Sequence, residues 1–265
     1  MQRGLLLHHL IVPPLTALII SHAAGQDLEG VLSSAEPIQR HLARGEEHRY
    51  LIVLGDGEFA SVVVEQRGID VGVAVRDGSN ALVENFQDEI RRNGEEHIEI
   101  VAERAGSYTL SITPADGTVD DGDYVVRIET RRAATVLDRR LQESRVLRTR
   151  ARQLERTGQY AAARSLFEQS LATAESVRGC DDPYVALVAF DLAGNALERQ
   201  DNTRSRELYE RAVRTFEKQW GPAHPYPAMA RSRLALLDER GGERQKAEAG
   251  LRDVLPLLEL SLIHI

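Results

Sequence analysis

"GQYAAARSLFEQSL" occupies residues 158–171 of a 265-residue chain, and its pattern returns 42 residues later. At that offset Leu166, Phe167, Ser170 and Leu171 meet Leu208, Tyr209, Ala212 and Val213, and Glu175, Gly179 and Pro183 meet Glu217, Gly221 and Pro225. A further step of the same length reaches Gly242 (from Gln200), Ala247 (from Ser205), Leu251, Val254 and Leu255, a weaker match. Upstream, Ala151, Ala193 and Ala235 share a register, as do Leu192 and Leu234. Small and apolar residues at fixed offsets, set among strong helix formers, are the pattern of stacked helical hairpins. A single hairpin cannot bury its own apolar face, so each unit packs on the next.

Between the units lie "ESVRGCDDPYVA" (175–186) and "EKQWGPAHPYPA" (217–228). Asp182 and His224 hold the same place in them, where either can accept a backbone hydrogen bond at a helix entry. The 158–171 motif resembles the tetratricopeptide repeat, with Gly158 and Tyr160 at the turn and Ala163 for close helix approach. Phe167 and Ser170 then fall on the second helix. The 42-residue period, with its Gly-x-x-[His/Asp]-Pro linker, is similar to the kinesin-light-chain variety of that repeat. The resemblance covers roughly 137–260 and implies units at 137–178, 179–220 and 221–262. Asn202 and Arg244 replace the turn tyrosine, and Pro227 departs from the pattern after Pro-Tyr, which weakens packing locally. The family implies an α-helical solenoid that binds protein segments and performs no chemistry.

The preceding stretch has a different period. "HRYLIVL", "EFASVVVEQ", "DVGVAVR", "HIEIVAE", "SYTLSIT" and "DYVVRIE" alternate and are rich in Val, Ile, Tyr and Thr. Turn signals separate them, among them Gly55-Asp56-Gly57, Asp77-Gly78 and Asn93-Gly94. With "PIQRHL" and "ALVEN" added, about eight short strands are expected, spaced as in an antiparallel sandwich. The fold class expected is therefore α+β in two segregated domains: a jelly-roll-like antiparallel β-sandwich over 27–131, then helical repeats over 132–265. The run from "GEFASVVVEQRGIDVGVAVRDG" to "GDYVVRIE" is similar to sandwiches of the bacterial pre-peptidase C-terminal type. In exported bacterial proteins such a sandwich precedes tetratricopeptide repeats and then a caspase-like CHAT peptidase domain. The resemblance thus implies a chain that stops before any such domain. "LPLLELSLIHI" (255–265), apolar where a polar capping helix is the rule, gives the same expectation.

Residues 1–25 read as a secretory signal: one positive charge, an apolar run at 5–20, then small residues. That run is interrupted by His8-His9 and Pro13-Pro14 and is shorter than a spanning helix requires. An exported protein, periplasmic, envelope-associated or extracellular, with no stable membrane insertion after signal removal, is expected. The net charge of −8 and an aromatic content of 5% argue against nucleic acid and against a carbohydrate-stacking surface.

No catalytic residue, cofactor or metal ligand is expected. The lone cysteine, Cys180, lies beside Asp181 and Asp182, which suppress thiol reactivity. His224 is matched by a carboxylate one unit earlier, which a catalytic base would not tolerate. No metal-ligand spacing of histidines occurs. "DGTVDDGD" (116–123) carries four aspartates, but not in calcium-loop order, and reads as a solvated turn.

Arg145, Arg148 and Arg152 share one helix face through i, i+3, i+7 spacing. Placed on the repeat, that face resembles the ligand-facing groove, where arginine can clamp carboxylates. Asp138, Glu143 and Glu155 are the nearby acids that would otherwise balance it. With Leu187 and Phe190, these arginines form the expected groove for a protein or peptide partner, an acidic one. The reading is a non-catalytic interaction scaffold. The alternatives are the regulatory N-terminal part of a CHAT-type peptidase and, more weakly, an envelope- or carbohydrate-binding sandwich.

Overall fold

The structure, a computed structural model, describes residues 28–33, 36–115 and 121–263. The expected signal at 1–25 and most of the acidic 116–123 turn lie outside the described residues. The described chain first forms a sandwich of two sheets. One has the order β1-β3-β8-β5-β6 and the other β2-β9-β4-β7. The strands are β1 (Gly30–Val31), β2 (Ile38–Leu42), β3 (His48–Leu54), β4 (Glu58–Arg67), β5 (Val71–Arg76), β6 (Leu82–Phe86), β7 (Asn93–Val101), β8 (Gly106–Pro114) and β9 (Gly122–Ala133). All pairings are antiparallel except β1 beside β3. β1 is the strand beyond the eight expected, and two residues carry no period to read.

The alternation seen in the sequence is the pleat. Tyr50, Ile52 and Leu54 of β3, Val62 and Val64 of β4, and Ile98 and Ile100 of β7 all enter one buried cluster. Its polar atoms are paired: Tyr124 Oη lies 2.8 Å from His48 Nδ1 and 2.6 Å from Tyr50 Oη. Neither sheet closes into a barrel, so β6 and β7 are free outer strands of opposite sheets.

Six helices follow: α1 (Val136–Arg156), α2 (Tyr160–Arg178), α3 (Pro183–Glu198), α4 (Asn202–Trp220), α5 (Pro225–Arg240) and α6 (Arg244–Ile263). The 42-residue offset holds at the helix starts: Tyr160, Asn202 and Arg244 each open the second helix of a hairpin, and Pro183 and Pro225 open α3 and α5. Several helix ends have a local cause. Thr135 caps α1 through a capping box with Asp138. Asp182 and His224 cap α3 and α5, accepting from the amides of Tyr184 at 2.8 Å and Tyr226 at 3.3 Å. Gly179 and Gly221 end α2 and α4 at φ 80° and 83°, a region where a Cβ is strained. Inside the first hairpin, Ser144 and Ser170 exchange hydroxyl-to-carbonyl bonds at 2.8 Å, which holds α1 and α2 close. On α6, Leu251 and Leu255 are exposed.

The two halves are docked through α1, which lies across β6 and β7. The side chain of Gln142 caps the free edge of β7. Its Oε1 accepts from the Val101 amide at 2.7 Å, and its Nε2 donates to the Val101 carbonyl at 3.2 Å. An unpaired strand edge is a liability, and here a helix covers its last residue.

Candidate functional site

The first helix of each hairpin, α1, α3 and α5, contributes to one face, and the expected groove residues lie on it. None of the three arginines stands alone there. Arg145 is half-buried and donates to Glu99 of β7 at 2.7 Å, with Arg178 of α2 donating to the same carboxylate at 3.1 Å. The Arg145 guanidinium also lies 5.3 Å from the Tyr184 ring and 5.5 Å from that of Phe86. Arg148 is buried and joins the two domains. Its Nε donates to Asp191 of α3 at 2.6 Å, and its Nη1 donates to Asp88 of the β6–β7 connection at 2.7 Å. Arg152 grips Asp191 bidentately at 2.9 and 3.0 Å, and its side chain stays 45% exposed.

Burial opposes the charges of Asp191, Glu99 and Arg148, and opposite charge overcomes it. Asp191 is held below the usual carboxylate range because Arg148 and Arg152 outweigh its desolvation. Glu99 is likewise held down, by Arg145 and Arg178 against burial. For Arg148, Asp191 and Asp88 more than offset desolvation, so its ionised form is favoured. Two acids of the sandwich go the other way. Burial pushes Glu84 up, although Thr149 of α1 donates to it at 2.6 Å. Burial and then the Asp88 charge push Glu96 well up.

Glu96 sets the shape of the β6–β7 connection. Its Oε2 accepts from the amides of Asp88 and Glu89 at 2.9 and 2.8 Å. Glu89 turns Arg91 back on itself with bonds at 2.8 and 2.6 Å, and its carboxylate lies 4.0 Å from His224. Ile90 leaves the sandwich and packs on the cluster that holds Leu187, Phe216 and Tyr226, beside Phe190 and Met229. Leu187 is buried, and Phe190 is half-buried with its ring edge on Tyr209 at 5.3 Å. Behind Ile90, Phe216, Trp220, His224 and Tyr226 form a stack, with Trp220 4.5 Å from His224. Burial pulls the His224 pKa down to about 4, against the Glu89 charge and with help from Arg91.

The helical repeat therefore brings all five expected residues to one region, and a segment of the sandwich lies on it. Sequence reading did not supply Asp88, Glu89, Ile90, Glu96, Glu99 or Asp191. Of the local acids expected to balance the arginines, Asp138 instead pairs with Arg132 and caps α1, and Glu155 accepts from Asn195 at 2.8 Å. A cleft of about 400 Å3 opens beside this face, between α1 and β5–β6, lined by Leu82, Glu84, Thr149, Arg152 and Arg156 among others.

Elsewhere, Cys180 is exposed in the α2–α3 joint. Of the acidic turn, Asp123 pairs with His41 at 2.9 Å. Among the described residues no group of three or more His, Cys, Asp or Glu could hold a metal ion. No helix among them is long and apolar enough to cross a membrane.

Residues 142–218 match the family model of the tetratricopeptide repeat. Among solved structures, the chain is similar to BtubC (BKLC) of P. vanneervenii at 18% identity, TM-score 0.43, over 44% of this chain and 46% of that one. It is similar to a Podosopora anserina putative kinesin light chain with nearly identical TPR-like repeats, at 24% identity, TM-score 0.39, over 44% and 57%. The chain thus spans about half the length of these two relatives. It is also similar to the pre-peptidase C-terminal domain of a Bacillus anthracis collagenase, at 18% identity, TM-score 0.31, over 40% of this chain and 99% of that one. No curated protein matches the chain.

Proposed function

We propose that this chain, whose residues 142–218 carry tetratricopeptide repeats, is an exported, non-catalytic scaffold that holds an acidic segment of a partner protein on the α1/α3/α5 face. Such repeats mark a protein-interaction scaffold; the choice of face and of partner charge is the proposal. One observation carries it: the three hairpins already hold a segment of that chemistry, Asp88 on Arg148 and Ile90 beside Leu187 and Phe190. Fork geometry suits carboxylates, and a peptide laid across stacked hairpins gains apolar contact at several of them.

Panning a displayed peptide library on the full chain tests the proposal. Sequences with adjacent carboxylates and an aliphatic residue should be enriched, and Arg152→Glu, at the exposed rim, should weaken them about ten-fold, equivalent to about 1.4 kcal/mol. Enrichment of acid-free sequences, or binding indifferent to that substitution, would refute it. Export is tested separately by fusing residues 1–25 to a phosphatase that is active only outside the cytoplasm; an inactive fusion sinks it.

A further inference from the structure

The connection from β6 to β7 runs from Gln87 to Arg92 and crosses between sheets at their outer strands. Connections of this kind are ordinarily polar and solvated. This one sends its aliphatic residue, Ile90, out of the sandwich core and onto the helices. Its neighbours follow: Asp88 reaches Arg148 of α1, and Glu89 faces His224 at the entry to α5. Three consecutive residues thus meet all three hairpins. The contact is at the margin of the core, with Ile90 packed on the buried cluster from outside. Asp88, Glu89 and Ile90 each remain half-buried, whereas Phe167, Ala193 and Leu208 between the hairpins are buried. Glu96 and Gln66 hold the backbone of the segment to the sandwich, and only its side chains meet the helices, so these contacts can open without unfolding either half.

We propose that residues 87–91, Gln-Asp-Glu-Ile-Arg, are an internal ligand of the repeats. They hold the α1/α3/α5 face closed, and a partner gains it by presenting adjacent carboxylates followed by an aliphatic side chain and displacing them. The proposal rests on the reading of that face as a binding surface. A tethered occupant competes at high effective concentration. A partner's apparent affinity therefore falls by the fraction of molecules in which the face is open. Weakening the internal contact must then tighten partner binding without adding any contact to the partner.

The test uses a labelled synthetic peptide of residues 84–93, ENFQDEIRRN, titrated against the full wild-type chain and against the full chain carrying Asp88→Asn and Ile90→Ser. The substituted chain should bind at least about ten-fold more tightly than wild type. A peptide carrying the same two changes should lose binding. Helical circular dichroism and Trp220 emission report whether the substituted chain stays folded. Should it not, Asp88→Asn alone, which keeps the side chain's shape, gives the same direction with a smaller step. Equal binding to wild type and variant overturns the closed face while leaving the face as a binding surface. Binding to neither overturns the internal ligand, and library panning then judges the scaffold reading by itself.

Discussion

Replacing Arg148 by methionine should destabilise the helical half by about 3 kcal/mol. Methionine fills the volume of the arginine stem but leaves two carboxylates facing the space of the lost guanidinium. Stripping one partner from a buried ion pair costs about 3–5 kcal/mol, because the other charge stays desolvated. Two features place this site at the lower end. Asp191 keeps both bonds from Arg152, and the Asp88 side chain, 31% exposed, can turn to water. For a chain of this size the loss corresponds to a fall of roughly 6–12 °C in melting temperature.

Trp220 is the only tryptophan and stacks on Phe216 and His224 at the joint beside Ile90, so its emission reports this region directly. Urea unfolding followed by that emission and by helical circular dichroism gives the measurement. Asp88→Asn, which removes only the half-exposed partner, should cost about 1 kcal/mol. The double variant should fall short of additivity by about 1 kcal/mol, because both changes remove the same bond. If Arg148→Met costs under about 0.5 kcal/mol, the level of a neutral surface change, the guanidinium does not join the two halves and the reasoning fails.

Gln142→Leu strips the edge of β7 of its cap and leaves the Val101 amide and carbonyl without those partners. A loss of about 1–3 kcal/mol is expected in chemical denaturation, with Gln142→Glu intermediate since it restores only the acceptor. Thr135→Ala removes half of the capping box of α1 and should cost about 1 kcal/mol in the same assay. Asp70, buried and facing the Glu89 charge, is pushed up to about 7, so its contribution is full below the ordinary carboxylate range and is lost as pH rises through 7. Asp70→Asn should therefore gain on wild type between about pH 4 and 7, by at most about 1.4 kcal/mol per pH unit, with no difference at pH 3. His224 has the opposite sign: held near 4, it favours the fold above pH 6.5 and costs stability as pH falls toward 4. Melting curves of His224→Asn, which keeps a capping oxygen, should lack that acid-side loss.

The repeats were legible because their signals are local. A glycine stop, a capping Asp or His and a proline at the first helical turn act within a few residues, so a 42-residue self-comparison finds helix starts that the structure then places at Tyr160, Asn202 and Arg244. The strands were legible through their pleat. The junction was less so. β9 runs to Ala133, past the expected boundary at 131, because Arg131 and Arg132 continue the ladder against Ala60 and Phe59 while offering no apolar alternation. Arg132 instead lies over the Phe59 ring at 4.0 Å. The capping box in "TVLD" (135–138) was the signal that marked the true start of α1.

The arginine face was legible as a face, but its partners were not. Helical spacing aligns Arg145, Arg148 and Arg152, and the nearest acids in sequence are on the same helix. The acids that meet them come from Asp88, Glu99 and Asp191, all at least 39 residues away in sequence. Such pairs follow from how two domains dock, and no period in either domain encodes that. Composition still constrains the outcome. A chain with 41 acidic residues and a net charge of −8 supplies carboxylates to any exposed arginine cluster long before a partner arrives. Carboxylates alone then cannot distinguish a partner from the chain itself, since both satisfy Arg148 equally well. On the proposed reading, discrimination comes from the aliphatic contact that Ile90 makes with the cluster of Leu187, Phe216 and Tyr226, where shape and buried area differ from one side chain to another. If the proposed face does exchange segments, charge sets the register there and the apolar residue decides which segment stays.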